Sequence, residues 1–470
     1  MTHEDVEHSM KSLQRRRGYA AVALGASVAL TLAACSGGDE PGGEDTGTGG
    51  DADCAAYEEY GDLSGTTVSV YTSIVAPEDQ PHIDSYLPFE ECTGATVVYE
   101  GSKEFEAQLL VRLEAGSPPD IAYIPQPGLL RTIATDFPDQ IVAASEGTVA
   151  NVEEFYSPSW KEYGTVDGTF YAAPLGANVK SFVWYSPSQF EANGWEIPQT
   201  QDELTALSEQ ILTDTGATGA KPWCAGIGSG DATGWPATDW LEDMVLRTAG
   251  GEVYDQWITN EVAFNDPQIA EALAAVGGYL RNPDFVNGGL GDVSSIASTT
   301  FQDGGLPILG DAPLCFLHRQ ASFYAANWPE GTNVAEDGDV FAFYFPGVDA
   351  ETRPLLGGGE FAAAFADRPE VAAFQAFLAS PEWNNAKAIA TPNGGWVSAN
   401  SGLDPANLVS PIDQLSATLL GDTTQEFRFD ASDLMPAAVG AGSFWTEMTN
   451  WIANNKSDAD VLDAIQASWP

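Results

Sequence analysis

Two kinds of residue in this chain could act on a small molecule, carboxylates and tryptophans. Acids pair at Glu153-Glu154 and at Asp239 with Asp243, the latter one helical turn apart. Two carboxylates flanking a bond are what glycoside hydrolysis requires. With 68 Asp and Glu in the chain, however, such pairs arise by chance. Asp239 and Asp243 read equally as a solvated helix face or as a sugar contact. Other catalytic patterns are missing: there is no GxSxG, P-loop, HExxH or glycine-rich dinucleotide fingerprint. Four histidines and no CxxC offer neither a zinc site nor thiol catalysis. No catalytic residue, metal ligand or cofactor is assigned.

The tryptophans are more informative. Trp235 and Trp240 sit in "SGDATGWPATDWLED", Trp396 in "PNGGW" and Phe444-Trp445 in "GAGSFW", all segments rich in Gly, Pro or polar residues. A tryptophan on an apolar helix stripe is core, whereas one in a loop beside Gly, Asn and Asp can face a ligand. Pyranose rings present C–H faces to aromatic rings and hydroxyls to Asp, Glu, Asn and Gln, and those residue types recur here together.

The elements that must position these residues alternate. "TTVSVYTSI" (66–74) is β-branched and alternating, a strand; a helical stretch with Ile83, Tyr86, Leu87 and Phe89 follows, then the strand "ATVVYEG" (95–101). "EFEAQLLVRLEAG" (104–116) sets Phe105, Leu109, Leu110 and Leu113 on one helical stripe, and "DIAYIPQPG" (120–128) reads as another strand. This β-α-β-α-β order predicts a parallel sheet covered by helices. Thr200 with Glu203 forms a capping box, and Asp266 before Pro267 a second helix start. "DVFAFYFPG" (339–347) is predicted as a strand and "RPEVAAFQAFLASPEW" (368–383) as one helix. The fold class is α/β, with no internal repeat.

The N-terminal segment has another purpose. Lys11, Arg15, Arg16 and Arg17 precede an uncharged, alanine-rich run from Gly18 to Ala34, the layout of a secretory leader. The run falls short of the roughly 20 strongly apolar residues of a membrane span. Arg16-Arg17 leaves both the general and the twin-arginine export routes open. Residues 36–53, "SGGDEPGGEDTGTGGDAD", cannot bury enough surface to fold and read as an acidic, flexible tether, extended to residue 60.

Charge and cysteines bound the rest. Only three of the 68 acids and four of the 18 bases fall in the first 34 residues, so the body is strongly anionic, which repels nucleic acid and anionic lipid. Besides Cys35, the four cysteines Cys54, Cys92, Cys224 and Cys315 allow three disulfide pairings in an exported protein. The expected one joins Cys54 to Cys92, pinning the tether's end, and Cys224 to Cys315.

Several motifs carry a family resemblance. "LAAC" (32–35) resembles the bacterial lipobox, which implies cleavage after Ala34 and lipid on Cys35; an ordinary peptidase site is the alternative. From about residue 63 onward, "AGSPPDIAYIPQPG" (115–128), "VDGTFYAAPLGANVKSFVWYSPSQFEANGWEIPQTQDEL" (166–204), "PWCAGIGSGDATGWPATDWLEDMVLRTAG" (222–250) and "DLMPAAVGAGSFWTEMTNW" (433–451) resemble the extracellular solute-binding proteins of carbohydrate ABC importers. The class is that of maltose-binding protein, and within it the alpha-glucoside-type binding lipoproteins.

The resemblance implies a two-lobe, type II periplasmic-binding-protein-like fold, each lobe a mostly parallel sheet with helices on both faces and the ligand cleft between them. The first lobe would span 61–175 plus 348–411, the second 176–347 plus 412–470. Ligand contacts would come from Thr72 and Ser73 after the first strand, Gln126 after the third, and Asn178 near a crossing between lobes. At a second crossing, "GGGE" (357–360), Gly358 and Gly359 would let backbone approach the ligand and Glu360 accept from it. Trp445, beside Phe444, would stack on sugar, and Trp235, Asp239 and Trp396 would be further ligand contacts. Asp239 reads alternatively as a helix cap and Glu360 as a surface acid.

The expected function is a monomeric, lipid-anchored, extracytoplasmic receptor. It would capture an α-glucoside or other oligosaccharide by cleft closure and pass it unchanged to ABC permease subunits. A secreted glycoside hydrolase and a polyamine-binding protein are the alternatives, the second favoured by the negative charge.

Overall fold

The computed structural model describes residues 54–422 and 425–470. The leader, the lipid site at Cys35 and the tether up to Asp53 lie outside the described residues. Fourteen strands are described: β1 (Thr67–Thr72), β2 (Thr96–Gly101), β3 (Ile121–Ile124), β4 (Thr165–Val166), β5 (Thr169–Phe170), β6 (Ala172–Pro174), β7 (Asn178–Val179), β8 (Phe182–Tyr185), β9 (Lys221–Trp223), β10 (Cys315–Arg319), β11 (Phe341–Tyr344), β12 (Leu355–Gly358), β13 (Phe361–Ala364) and β14 (Phe427–Phe429).

A five-stranded sheet, β2-β1-β3-β13-β6, anchors one lobe, and a four-stranded sheet, β11-β8-β10-β9, the other. Between them runs a short third sheet, β14-β12-β7. The β-α-β-α-β start is parallel, with Val70 of β1 opposite Tyr99 of β2 and Ile121 of β3. The sheets as wholes are mixed. β13 lies antiparallel to β3 and β6, and β8 antiparallel to β10 and β11. The reason is connectivity: strands that return from the other lobe enter these sheets from the opposite end.

The two larger sheets are each packed against a helix-covered core, and a third cluster, with Phe182, Trp184 and Phe341, fills another face of the four-stranded sheet. Val68, Phe89, Phe105, Tyr123, Phe361 and Phe374 are fully or almost fully buried in the first, and Trp223, Leu241, Trp257, Phe264, Leu317 and Trp451 in the second. Local signals explain the helix starts. Thr200 accepts from the Glu203 backbone N–H and Asp266 from that of Gln268. The stretch predicted as one helix over 368–383 is two, Pro369–Leu378 and Pro381–Ile389, because Pro381 cannot continue a helix and Ser380 caps the next by accepting from Trp383 N–H.

Both expected disulfides are present, Cys54–Cys92 and Cys224–Cys315. The first corrects the tether's extent: Cys54–Tyr60 forms a 3-10 helix whose Tyr57 and Tyr60 pack on Phe377 and Phe89. Burying two tyrosines supplies the apolar surface that the preceding glycine-rich run lacks. No described helix is long and apolar enough to cross a membrane.

Candidate functional site

Three loops at strand ends converge between the lobes, where open α/β sheets present ligand sites. After β1, Thr72 Oγ1 accepts from Ile74 N–H and turns the chain, so that Ser73, Ile74, Val75 and Glu78 border the cleft. After β3, Gln126 precedes the helix Pro127–Asp136 without capping it, and its amide donates instead to Glu106 Oε1 at 3.1 Å. At the crossings, β7 and β12 pair antiparallel with Gly358 opposite Asn178. Glycine is required here: a Cβ on Gly359 would stand 2.3 Å from the Gly176 carbonyl oxygen.

The result is a cavity of about 940 Å³, its open mouth included, walled by both lobes. Its aromatic wall comes from the second lobe. Trp235 opens the helix Trp235–Thr248 and contacts Phe301 and Phe323, with ring centroids 5.2 and 5.9 Å apart. Trp445, first residue of the helix Trp445–Ala453, lines the same space. Its buried Nε1 has no hydrogen-bond partner, nor have the buried Gln126 Oε1 and Asn178 Oδ1. Buried polar atoms are nearly always paired, so those left unpartnered on a cavity wall are available to a polar ligand.

The lobes touch across this space. Lys103 donates to Gln302 Oε1 at 2.7 Å, Ala107 N–H to Asp231 Oδ2 at 3.0 Å, and Asn327 to Glu78 Oε1 at 3.0 Å.

Electrostatically the cavity is acidic. Burial, with Glu360 nearby, pushes Glu78 up to about 7. Burial and Asp231 push Glu106 up to about 7. Glu360 is raised by burial as well, and Asp433 well above the usual range by burial and the Asp430 charge. Lys180 sits beneath, bonded to Asp430 and to Asp239 Oδ1, the latter at 3.0 Å, and 5.5 Å from the Trp235 ring centre. Burial works against its charge, but Asp239 and Asp430 outweigh it and hold the ammonium charged. Asp430 is likewise opposed by burial, yet Lys180 holds it down at about 2. Burial dominates at Asp239, raised to about 7.

Of the residues expected from sequence, Ser73, Gln126, Asn178, Trp235, Gly359, Glu360 and Trp445 line this cavity. Trp396 borders an adjoining chamber. Four are placed elsewhere. Thr72 is fully buried and its hydroxyl serves the turn. Asp239, fully buried and outside the cavity wall, accepts from Lys180 through Oδ1, while its Oδ2 has no hydrogen-bond partner. Gly358 is not in the cavity wall, and a Cβ there would stand 3.0 Å from Lys180 Cε and 3.4 Å from Asn178 Oδ1, two residues that are. Phe444 packs on Phe264 and Trp257, because neighbours on a helix diverge by about 100° and Trp445 takes the cavity side. Sequence reasoning missed Glu78, Glu106, Lys180, Phe301, Phe323 and Asp433. Lys180 alone carried a signal, as a rare cation inside the apolar run "ANVKSFVWY". Asp239, Glu242 and Asp430 cluster closely enough to suggest a cation site, but Lys180 already supplies a positive charge to two of them.

Residues 65–385 match the family described as bacterial extracellular solute-binding protein. The chain belongs to that family. Its members bind solutes and do not transform them. The chain is similar to the alpha-glucosides-binding periplasmic protein AglE of Rhizobium meliloti (strain 1021), 38% identical over 435 residues, spanning 88% of this chain and 90% of that protein. It is also similar to the osmoprotective compounds-binding protein GgtB of Synechocystis, 37% identical over 419 residues, 89% of this chain and 96% of that one. Among solved structures, the bacterial solute receptor AcbH, described as preferring β-D-galactopyranose, superposes with a TM-score of 0.70 at 15% identity, covering 86% of this chain and 98% of that one. That likeness establishes the type II periplasmic-binding-protein fold alone.

Proposed function

We propose that this solute-binding protein captures a neutral carbohydrate, an α-glucoside or other oligosaccharide, by closing its lobes around it, and delivers it unchanged to the permease of an ABC importer. In this reading it works as a monomer outside the cell membrane, held by lipid on Cys35. Its lobes divide at 61–175 plus 348–411 and 176–347 plus 412–470, and cleft closure is a hinge motion at the crossings. The observation that carries the reading is the lining of the cavity. Trp235 and Trp445 offer apolar ring faces, while Gln126, Asn178 and Glu360 offer amide and carboxylate groups for hydroxyls. The name of one relative, an alpha-glucosides-binding protein, points the same way.

One observation favours a second reading, a polyamine ligand: Glu78, Glu106, Glu360 and Asp433 line the cavity without an ion pair among the described residues. Calorimetric titration with maltose, trehalose, sucrose, longer α-glucosides and spermidine separates the two. A sugar that binds equally at low and high salt, is recovered intact, and loses about thirtyfold (~2 kcal/mol) in Trp235→Ala supports the first reading. Salt-sensitive binding of spermidine alone overturns it.

A further inference from the structure

The cavity continues inward. Ile74, Glu78, Asn178, Phe323 and Glu360 also wall a second, inner chamber of about 440 Å³, its open space included, less than half the outer one on the same measure. Its far side is built by the helix Pro381–Ile389 and the loop after it, through Lys387, Thr391, Gly395 and Trp396.

Two donors there are not used up by the protein. Lys387 is 2% exposed, yet its ammonium bonds to one atom only, Thr391 Oγ1 at 3.0 Å, though it carries three N–H groups. It makes no ion pair among the described residues, and burial draws it down to about 7, with Asp413, Glu78 and Glu360 working the other way. Trp396, 5.4 Å from that ammonium by its ring centre, is buried, and its Nε1 has no partner. Trp383, edge-on at 5.6 Å between centroids, fixes the indole from behind. Both groups flank one glycine: a Cβ on Gly176 would stand 2.9 Å from Trp396 Nε1 and 3.2 Å from Glu360 Oε2. Indole N–H and carboxylate thus border the same passage, a donor and an acceptor side by side.

We propose that the inner chamber is a second recognition subsite, in which Lys387 Nζ and Trp396 Nε1 donate to hydroxyl oxygens of a neutral polyhydroxylated group joined to the ring held in the outer chamber. The inference rests on reading the outer cavity as a sugar site. Neutrality follows from the surroundings, since an anion beside Lys387 would also face Glu78, Glu360 and Asp413. Lys387 and Trp396 are then specificity residues that favour two-part glycosides over a single ring, and the inner part is the smaller one.

The test is calorimetry of the wild type, Lys387→Met and Trp396→Phe with glucose, maltose, trehalose, sucrose and a glucuronic-acid-containing disaccharide. At least one neutral disaccharide should bind tenfold or more tightly than glucose, and each variant should cut that ratio about tenfold, the worth of a lost hydrogen bond to a charged or buried donor. Equal losses for glucose and disaccharide, or an acidic disaccharide that outbinds the neutral ones, overturn the subsite. If Lys387→Met fails to fold, Trp396→Phe decides, because it removes the N–H and keeps an aromatic ring. If the wild type binds no sugar, the carbohydrate reading itself fails and the subsite with it; if sugars bind and the ratio does not move, the subsite alone is wrong.

Discussion

Replacing Lys180 by Met should destabilise the protein more than removal of any surface cation. Its ammonium joins Asp239 and Asp430, both almost wholly buried, and Glu242 stands in the same cluster. Removing one partner of a buried ion pair costs about 3–5 kcal/mol, because the remaining charge stays buried without compensation. Unfolding entropy is about 2.1 cal/mol/K per residue, so the roughly 400 described residues give about 0.85 kcal/mol/K and a fall in Tm of about 4–6 °C at pH 7. The pH dependence has a definite sign. Asp430, held down at about 2 by Lys180, contributes stability above its unfolded value of about 3.9 and loses it as pH falls through 2. Without the lysine its folded pKa rises, so the gap between variant and wild type is largest at neutral pH and narrows below about pH 4. Scanning calorimetry at pH 7.5 and 3.5 measures this, and Lys180→Met/Asp430→Asn should recover part of the loss by removing one stranded charge. A Tm within 1 °C of wild type at pH 7.5, a gap that widens in acid, or no recovery in the double variant refutes the reasoning.

Two further outcomes are expected. Glu78→Gln keeps an oxygen to accept from Asn327 while removing a carboxylate whose folded pKa is raised to about 7. A raised carboxylate pKa costs stability as pH climbs from the unfolded value towards 7, so the variant should melt above wild type at pH 8 and level with it at pH 5. Replacing Cys224 and Cys315 by Ser opens a loop with a sequence separation of 91, worth about 4–5 kcal/mol in the chain-entropy view, and the Cys54–Cys92 loop of 38 about a kilocalorie less. Denaturant melts of the two double variants should show that order, and a reversed order refutes it.

Much of the local structure was legible because it depends on neighbours in sequence. Thr200 and Asp266 cap helices where their spacing predicts, and β1, β2 and β3 follow from β-branched alternation. The break at Ser380-Pro381 was legible too, in the proline, but the apolar stripe running through it hid the boundary. Within the candidate site, residues at strand ends and in glycine-rich loops were found, Ser73, Gln126, Trp235 and Glu360 among them. Phe301, Phe323 and Glu106 were not, since nothing local separates them from an ordinary aromatic or surface acid.

By itself the sequence determined the α/β class, the leader-like N-terminus, the acidic surface and the set of side chains able to meet a sugar, all properties of composition and short-range periodicity. Tertiary structure decided which of them share a cavity. Asp239 and Trp235 are one helical turn apart, yet Trp235 faces the cleft while Asp239 accepts from a lysine of another segment. Phe444 and Trp445 are adjacent, and helix geometry sends one to the core and the other to the cavity. Whether a polar group is free for a ligand depends on the partners that folding brings to it, and those partners, as with Lys180 and Asp430, lie up to 250 residues away.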